Sequence, residues 1–234
     1  MRKDRTSLRK RLRVPVGEPV DLSAQDAAAT PGGPDGKAAG KAATARIGER
    51  LAGLQERLWA ASTAGDRRRV LLVLQGMDTS GKGGTVKHVI GLLNPSGCRI
   101  TAFRAPTAEE RAHPFLWRVE KALPLPGELG IFDRSHYEDV LVARVRGLAD
   151  DGVTLVKCFL HLSCEEQRRR LLKRLDRPEK RWKFAPSDID DRALWPAYQE
   201  AYEIALERLR ELDPRYPEPD FDVAECRKRL LRQS

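Results

Sequence analysis

Apolar and polar positions alternate in two different ways along this chain of 234 residues. Short runs in which nearly every residue is apolar are separated by longer stretches with an apolar residue every three or four positions. Strands buried on both faces of a parallel sheet have the first pattern, and the helices that connect them have the second. The predicted strands are 70–74, 99–103, 129–133 and 153–162. We therefore expect β-α-β units around a mainly parallel sheet.

Helices are predicted before, between and after these strands. The first covers 45–61, and its apolar face consists of Ile47, Leu51, Leu54 and Leu58. A late helix is predicted over about 188–212, with Ala193, Leu194, Ala197, Ala201, Ile204, Ala205 and Leu209 facing inward. Capping boxes begin two further helices, at Thr107 with Glu110 and at Ser163 with Glu166. Pro178 ends the second of these, because proline breaks a helix interior.

The first 45 residues have a different composition. Residues 1–13 contain seven Lys or Arg against one Asp, and 21–45 are rich in Ala, Gly, Pro and Asp. Such a segment cannot bury much apolar surface, so we expect 1–45 to be a basic flexible tail and linker and 46–234 to be a single domain. The formal charge of +9 comes mostly from this tail, since the rest of the chain has 36 basic and 33 acidic residues.

Composition also argues against several classes of protein. No apolar run approaches the roughly 18 residues of a membrane span, and no apolar h-region follows the basic start, so a cytoplasmic protein without a membrane partner is expected. The four cysteines lack C-x-x-C spacing and the four histidines lack H-x3-H spacing, which disfavours a zinc site. The tail could contact nucleic acid or another polyanion, but a disordered tail is the more usual interpretation, so a nucleic-acid partner is not expected.

A phosphate-binding loop is predicted directly after the first strand. Gly76 is followed by four residues and then by Gly81 and Lys82, between an apolar strand and a helical pattern. Glycines let successive backbone N–H groups point at phosphate oxygens, and the lysine supplies a positive charge. The candidate phosphate-binding residues are Gly76, Thr79, Ser80, Gly81, Lys82, Gly83, Gly84 and Thr85.

The loop has Gly83 where a metal-binding Ser or Thr is usual, so a metal ion needs carboxylates from elsewhere. Asp78 lies inside the loop, and Asp133 ends the third apolar strand at the sheet edge where ligands bind. A magnesium ion usually takes one or two carboxylates plus phosphate oxygens, so these two are the candidate Mg²⁺ ligands. Arg134 follows directly and is suited to stabilise a phosphoryl group in transit.

Five blocks of sequence, in this order, resemble the polyphosphate kinase 2 family. They read QGMDTSGKGGTVKHVIG, FRAPTAEERAHPFLWRVE, FDRSHYEDVLVARV, FLHLSCEEQRRRLLKRLDRPEKRWKF and DRALWPAYQEAYE. The resemblance implies an α/β fold, a P-loop NTPase-like three-layer sandwich with a mainly parallel sheet and a helical lid at about 165–190. It also implies Mg²⁺-dependent transfer of a phosphoryl group between inorganic polyphosphate and ADP, AMP or ATP, and a homo-oligomer, either a dimer or a tetramer.

Site residues carry over by position. Asp78 and Lys82 match the acid and lysine of the family's Walker A loop, and Asp133 and Arg134 match its Walker B acid and arginine. A chain of condensed phosphates is a rod of negative charge, and Lys and Arg that neutralise it release counterions. The candidate lid residues for polyphosphate are Lys180, Lys183 and Arg192.

The chain departs from the family pattern in two places. Only RGLADDG separates FDRSHYEDVLVARV from the next apolar strand, where the family has a longer crossover. The family's closing strand, expected beside 70–74, has no counterpart in the final residues, which predicts either an exposed edge there or a sheet that is one strand narrower. Two alternatives remain open at this point: a nucleotide kinase that uses ATP as donor, and a polyphosphate-binding relative with impaired catalysis.

Overall fold

The computed structural model describes residues 11–14, 19–34, 36–103, 106–114, 117–133 and 152–211. The helices are α1 (Gly36–Thr63), α2 (Lys82–His88), α3 (Ala108–Ala112), α4 (Trp117–Ala122), α5 (Cys164–Leu175), α6 (Ser187–Ala193) and α7 (Trp195–Glu211). The strands are β1 (Arg69–Gln75), β2 (Cys98–Ala102), β3 (Leu129–Asp133) and β4 (Val153–Phe159). Short 3₁₀ helices occupy Ile90–Leu92, Pro95–Gly97 and Pro178–Lys183.

The four described strands form one parallel sheet in the order β2-β3-β1-β4. All four predicted strands are present, and the last ends at Phe159, earlier than expected. The strand that precedes the phosphate loop, β1, pairs with β3 on one side and β4 on the other. Of the two predicted alternatives, an exposed edge beside β1 is therefore wrong, because β4 pairs with that side of β1. Among the described residues the outer strands are β2 and β4.

Side chains on the two faces of the sheet belong to two separate apolar clusters. Leu71 and Val73 of β1 pack on one face with Phe103, Val119 of α4, Phe132 and Val153. Leu74 packs on the other face with Ile90, Leu93 and Ile131, and Leu51 of α1 covers that cluster. Alternate residues of β1 thus enter different layers, as a central strand requires. The expected arrangement of a parallel sheet with helices on both faces is confirmed.

The segment before the sheet is more ordered than its composition predicts. Helix α1 begins at Gly36 rather than near residue 45, because the alanines of KAAGKAATA favour a helix strongly enough to tolerate Gly40. Upstream of the helix, Leu22 is 5% exposed and its backbone N–H donates to Glu203 Oε1 of α7 at 2.7 Å. The prediction of a linker throughout 21–45 is therefore wrong for these positions.

The predicted late helix is two helices. Leu194, which separates α6 from α7, is 54% exposed, Ile204 is 42% exposed, and Ala193, Ala197 and Ala201 are exposed too. The inward placement of these five residues is wrong, and the side chains of Ala205 and Leu209 lie outside the described part of the chain. The face that packs inward contains Trp195, Gln199, Tyr202 and Leu206 instead. Large aromatic side chains gain more from burial than alanines do, and Tyr202 packs against Phe159 with ring centroids 4.9 Å apart. No helix in the described ranges has the length and apolar content that crossing a bilayer requires.

Candidate active site

The phosphate loop connects the end of β1 to the start of α2. Gly76 and Gly81 have positive φ angles of 144° and 110°, and Thr79 has the unusual value of 65°. A Cβ at Gly76 would lie 2.6 Å from the carbonyl oxygen of Leu160, so the close approach to the chain after β4 requires glycine there. Ser80 N–H donates to the Met77 carbonyl at 3.1 Å, which closes the turn. The glycine spacing thus produces the curled loop that the sequence predicts.

Lys82 is the first residue of α2 and is only 8% exposed. Its ammonium donates to the Gly76 carbonyl at 2.5 Å and to the Met77 carbonyl at 3.0 Å, so it spans the loop from the inside. The same side chain lines two clefts that border the loop. A buried cation held at the wall of a cleft can meet a phosphate group by exchanging loop carbonyls for phosphate oxygens.

Asp133 and Asp78 line the same cleft, whose volume is about 510 Å³. Asp133 ends β3 in register with Leu74, which places it at the carboxyl edge of the sheet beside the loop. Its Oδ1 is buried and has no hydrogen-bond partner among the described residues. A buried carboxylate oxygen without a partner is costly unless a cation meets it. Asp133 therefore fits a divalent metal ion such as the Mg²⁺ that the sequence predicts, and Asp78, on the same cleft, is the second candidate ligand.

The remaining predicted loop residues divide into two groups. Thr79, Ser80, Gly81, Gly83 and Gly84 line the cleft that contains both aspartates. The Thr79 and Ser80 hydroxyl oxygens are buried and have no partner within the described chain. Thr85 differs, because its hydroxyl donates to the Gly81 carbonyl at 3.3 Å within the helix. Arg134, the predicted transition-state arginine, lies outside the described residues.

The opposite wall of this cleft is a cationic face of the lid. We define the lid cations as the six side chains that line the cleft: Arg170, Lys173, Arg174, Arg177, Lys180 and Lys183. With Lys82 they place seven cationic side chains around two carboxylates. The excess of positive charge makes the cleft suitable for a ligand that carries several negative charges.

Two of the three predicted lid residues belong to this set, and one does not. Lys180 and Lys183 lie on the 3₁₀ helix that follows Pro178, where the sequence predicts a break. Arg192 is directed elsewhere, since its guanidinium donates to the Cys164 carbonyl at 2.5 Å and to Gln167 Oε1 at 3.3 Å. The structure therefore does not bring it to the cleft, because a tertiary contact between α6 and α5 engages it.

Four lid cations lie in the basic stretch 168–183 that resembles the family's lid, but the sequence does not single them out. Arg170, Lys173, Arg174 and Arg177 occur at spacings of three and four residues, which places them on one face of α5 and its extension. That periodicity was present in the sequence, but the run EEQRRRLLKR carries charges on every face. Only the contact between α5 and the loop shows which face matters.

Direct hydrogen bonds attach α5 to the phosphate loop. Arg170 donates to the Thr79 carbonyl at 2.7 Å, and Arg174 donates to Asp78 Oδ2 at 2.7 Å. Glu166 orients Arg170, because its carboxylate accepts a hydrogen bond from Arg170 Nε at 2.7 Å. Hydrogen bonds from Arg169 and then Arg170 lower the pKa of Glu166 to about 2. Its carboxylate thus pairs with arginines and does not cap the helix. Of the capping box predicted at Ser163, only the bond from the Glu166 backbone N–H to the Ser163 side chain is present. The capping box predicted at Thr107 is complete.

The second cleft that borders the loop has a volume of about 220 Å³. Its wall is less basic and more aromatic, with Tyr198 and Tyr202 of α7 and Leu171 of α5. Asp188 and Asp191 of α6 also line it. Since Asp78 and Lys82 belong to both clefts, a group bound in one can approach a group bound in the other at the loop.

These features together define a P-loop phosphotransferase: a parallel sheet, a phosphate loop after its central strand, an acid that ends the neighbouring strand, and a basic lid. The family model described as "Polyphosphate kinase 2 (PPK2)" matches residues 35–152 and 146–214. The chain therefore belongs to the polyphosphate kinase 2 family. The two matched segments meet at 146–152, where the sequence indicates a shortened crossover.

Individual relatives agree with this assignment. An AMP/ADP-polyphosphate phosphotransferase of Meiothermus ruber is 47% identical over 205 residues, which cover 79% of this chain and 75% of that protein. An ADP-polyphosphate phosphotransferase of Rhodopseudomonas palustris is 39% identical, covering 76% of this chain and 72% of that protein. The crystal structure of polyphosphate kinase 2 from Arthrobacter aurescens TC1 is 40% identical, with a TM-score of 0.77 over 95% of this chain and 96% of that chain.

Proposed function

We propose that this protein transfers a phosphoryl group between inorganic polyphosphate and the nucleotides ADP or AMP, with Mg²⁺ as its metal. The observation that carries the proposal is the pairing of the phosphate loop with the six lid cations around one cleft. A mononucleotide kinase needs to neutralise a few phosphate charges, whereas a phosphate polymer presents one charge at nearly every unit along the cleft. The relatives named as AMP/ADP- and ADP-polyphosphate phosphotransferases support this choice of substrates.

Each cleft suits one of the two substrates. The cationic cleft fits the phosphate chain, and the cleft that contains Tyr198 and Tyr202 fits the nucleoside of the acceptor. Aromatic rings stack on nucleobases, and the carboxylates of Asp188 and Asp191 can accept hydrogen bonds from ribose hydroxyls or an exocyclic amine. Lys82 lies between the two, where the transferred group has to pass.

Catalysis in this arrangement is positioning and charge stabilisation. The backbone amides of the loop and the ammonium of Lys82 hold the donor phosphates, and the lid cations fix the course of the chain. A magnesium ion held by Asp78 and Asp133 would neutralise charge on the oxygens of the transferring group. We assign to Arg134, by its position after Asp133, the role of contacting that group in transit.

The test supplies long-chain polyphosphate, Mg²⁺ and either ADP or AMP, and measures newly formed ATP or ADP. Wild type is expected to form product, and Lys82→Met and Asp133→Asn to lower kcat/KM by about 10²–10³, the usual cost of removing one preorganised electrostatic group. Lys87→Met is the matched control, because Lys87 is an exposed lysine of the same helix. Absence of product from folded wild type with either acceptor would reject the proposal, and so would full activity of Lys82→Met.

We also propose that the protein acts in the cytoplasm, where nucleotides are available, and as a dimer or tetramer. Light scattering coupled to gel filtration measures the assembly, and a mass of one chain at micromolar concentration would reject the oligomer. Cell fractionation with an antibody against the protein tests the location, and recovery in the membrane or secreted fraction would reject it.

A further inference from the structure

Arg174 connects three parts of the site. Its Nη1 donates to Asp78 Oδ2 at 2.7 Å and to the Lys183 carbonyl at 3.1 Å, and it lies 3.7 Å from Asp188 Oδ2. The side chain is only 19% exposed, so these contacts are partly shielded from water. One guanidinium therefore links the phosphate loop, the 3₁₀ helix at Pro178–Lys183 and the start of α6.

The carboxylate that Arg174 engages belongs to Asp78, one of the two candidate metal ligands. A Mg²⁺ ion on Asp78 and a guanidinium bound to the same carboxylate would be two cations at one anion, so they would repel each other in a partly shielded cleft. Asp133, by contrast, has a buried oxygen with no partner in the described part of the chain. The two carboxylates are thus in unequal states, one engaged by the lid and one ready to receive a cation.

We infer that Arg174 and the metal ion compete for the carboxylate of Asp78, so that metal binding and this lid contact exclude each other. Metal binding releases the guanidinium from Asp78, and the freed arginine, already on the wall of the cationic cleft, turns to the phosphate chain. Release also breaks the link from the loop to Lys183, so the Pro178–Lys183 turn rearranges when the metal arrives. Arg174 is a positioning residue that couples metal binding to the lid, and this inference rests on the proposed metal site.

The first test is metal binding without nucleotide or polyphosphate. Titration of each protein with Mn²⁺, followed by the electron paramagnetic resonance signal of the free ion, gives the dissociation constant. Arg174→Met is expected to bind Mn²⁺ about tenfold more tightly than wild type, equivalent to about 1.4 kcal/mol of competition removed. Asp78→Asn is expected to bind it more weakly than wild type.

Lys173→Met is the matched control, because it removes one positive charge from the same cleft at the neighbouring position. Its affinity for Mn²⁺ should rise by about twofold or less, as expected for a screened charge without a direct contact to the metal site. Equal gains in Arg174→Met and Lys173→Met would overturn the inference, since general electrostatics would explain both. Unchanged binding in Asp78→Asn would overturn it too.

A second measurement needs no variant. Hydrogen exchange in peptides that cover 173–184 should increase when Mg²⁺ alone is added to wild type and decrease when polyphosphate follows. No change on adding saturating Mg²⁺ would contradict the coupling. Neither test requires turnover, so the two proposals fail separately. If metal binding depends on Arg174 as expected but the protein transfers no phosphoryl group, only the proposed function is rejected. If the protein is active but its metal binding does not depend on Arg174, only this inference is rejected.

Discussion

Replacing Gly76 by alanine tests whether the geometry of the phosphate loop is as constrained as the structure shows. The residue has a φ of 144°, which side chains other than glycine rarely adopt and which costs about 1–3 kcal/mol. The new Cβ would lie 2.6 Å from the Leu160 carbonyl oxygen and 2.8 Å from Ser80 Oγ. Leu160 cannot withdraw freely, because its N–H donates to the Gln75 carbonyl at 2.8 Å.

These terms together predict that Gly76→Ala lowers the free energy of unfolding by about 3 kcal/mol, combining backbone strain with steric overlap. A loss of that size corresponds to a decrease in Tm of roughly 6–12 °C for a chain of this length. Urea denaturation followed by circular dichroism measures it. Gly83→Ala is the control, because a Cβ there meets nothing within 4 Å. Equal stabilities of the two variants would refute the reasoning.

Three further predictions concern the core and the lid. Leu71→Ala should lower the free energy of unfolding by about 2–5 kcal/mol, because Leu71 is fully buried. Val156→Ala, at a site that is 42% exposed, should lower it by under about 1 kcal/mol, and similar urea midpoints for the two variants would contradict this. Glu166→Gln should destabilise the protein at pH 7, because the pKa of Glu166 is lowered from 4.5 to about 2 in the folded state. The difference in stability from wild type should shrink as the pH falls from 4.5 towards 2, and a difference independent of pH would argue against the arginine pairing. Lys180→Met should weaken polyphosphate binding and reduce the slope of log K against log salt concentration by about 0.7–0.9. Lys37→Met on α1 should change neither, and equal slopes for the two variants would show that Lys180 does not contact the polyphosphate.

The strands and the loop could be predicted because each leaves a local signal. A strand buried on both faces is apolar at every position, and β1 and β3 were located to within a residue or two for that reason. The glycines at 76 and 81 fix where the loop begins and ends, since both have positive φ. Asp133 was predicted as an acid at the sheet edge from its place at the end of an apolar run, and β1 pairs with β3 there.

Features that depend on contacts between distant segments could not be predicted in the same way. The inward face of α7 contains Tyr202, which packs on Phe159 of β4, and nothing local distinguishes it from the alanine face. Arg192 looks like any other lid cation in sequence, yet it binds the start of α5. In the sequence Arg174 is one charge among many, and only the fold brings it to Asp78.

The start of α1 shows a different kind of error. Glycines and prolines near residues 31–40 indicate a linker, but the alanines between them favour a helix, which also contains Gly48. A Cβ at that position would lie 2.5 Å from Leu92, so the glycine permits α1 to pack closely on the Ile90–Leu92 turn. A glycine in a helix can thus mark close packing as well as a break in regular structure.

The central claim is that the phosphoryl donor is inorganic polyphosphate held between the phosphate loop and the lid. The most direct test follows a reaction of polyphosphate of defined length, ADP and Mg²⁺ by ³¹P NMR, which resolves the chain and ATP phosphates in one sample. The account predicts that ATP resonances rise while the chain loses one phosphate for each ATP formed, and that Lys82→Met stops both changes. ATP formation without loss of chain phosphate, or phosphorylation of AMP only when ATP is the donor, would contradict it.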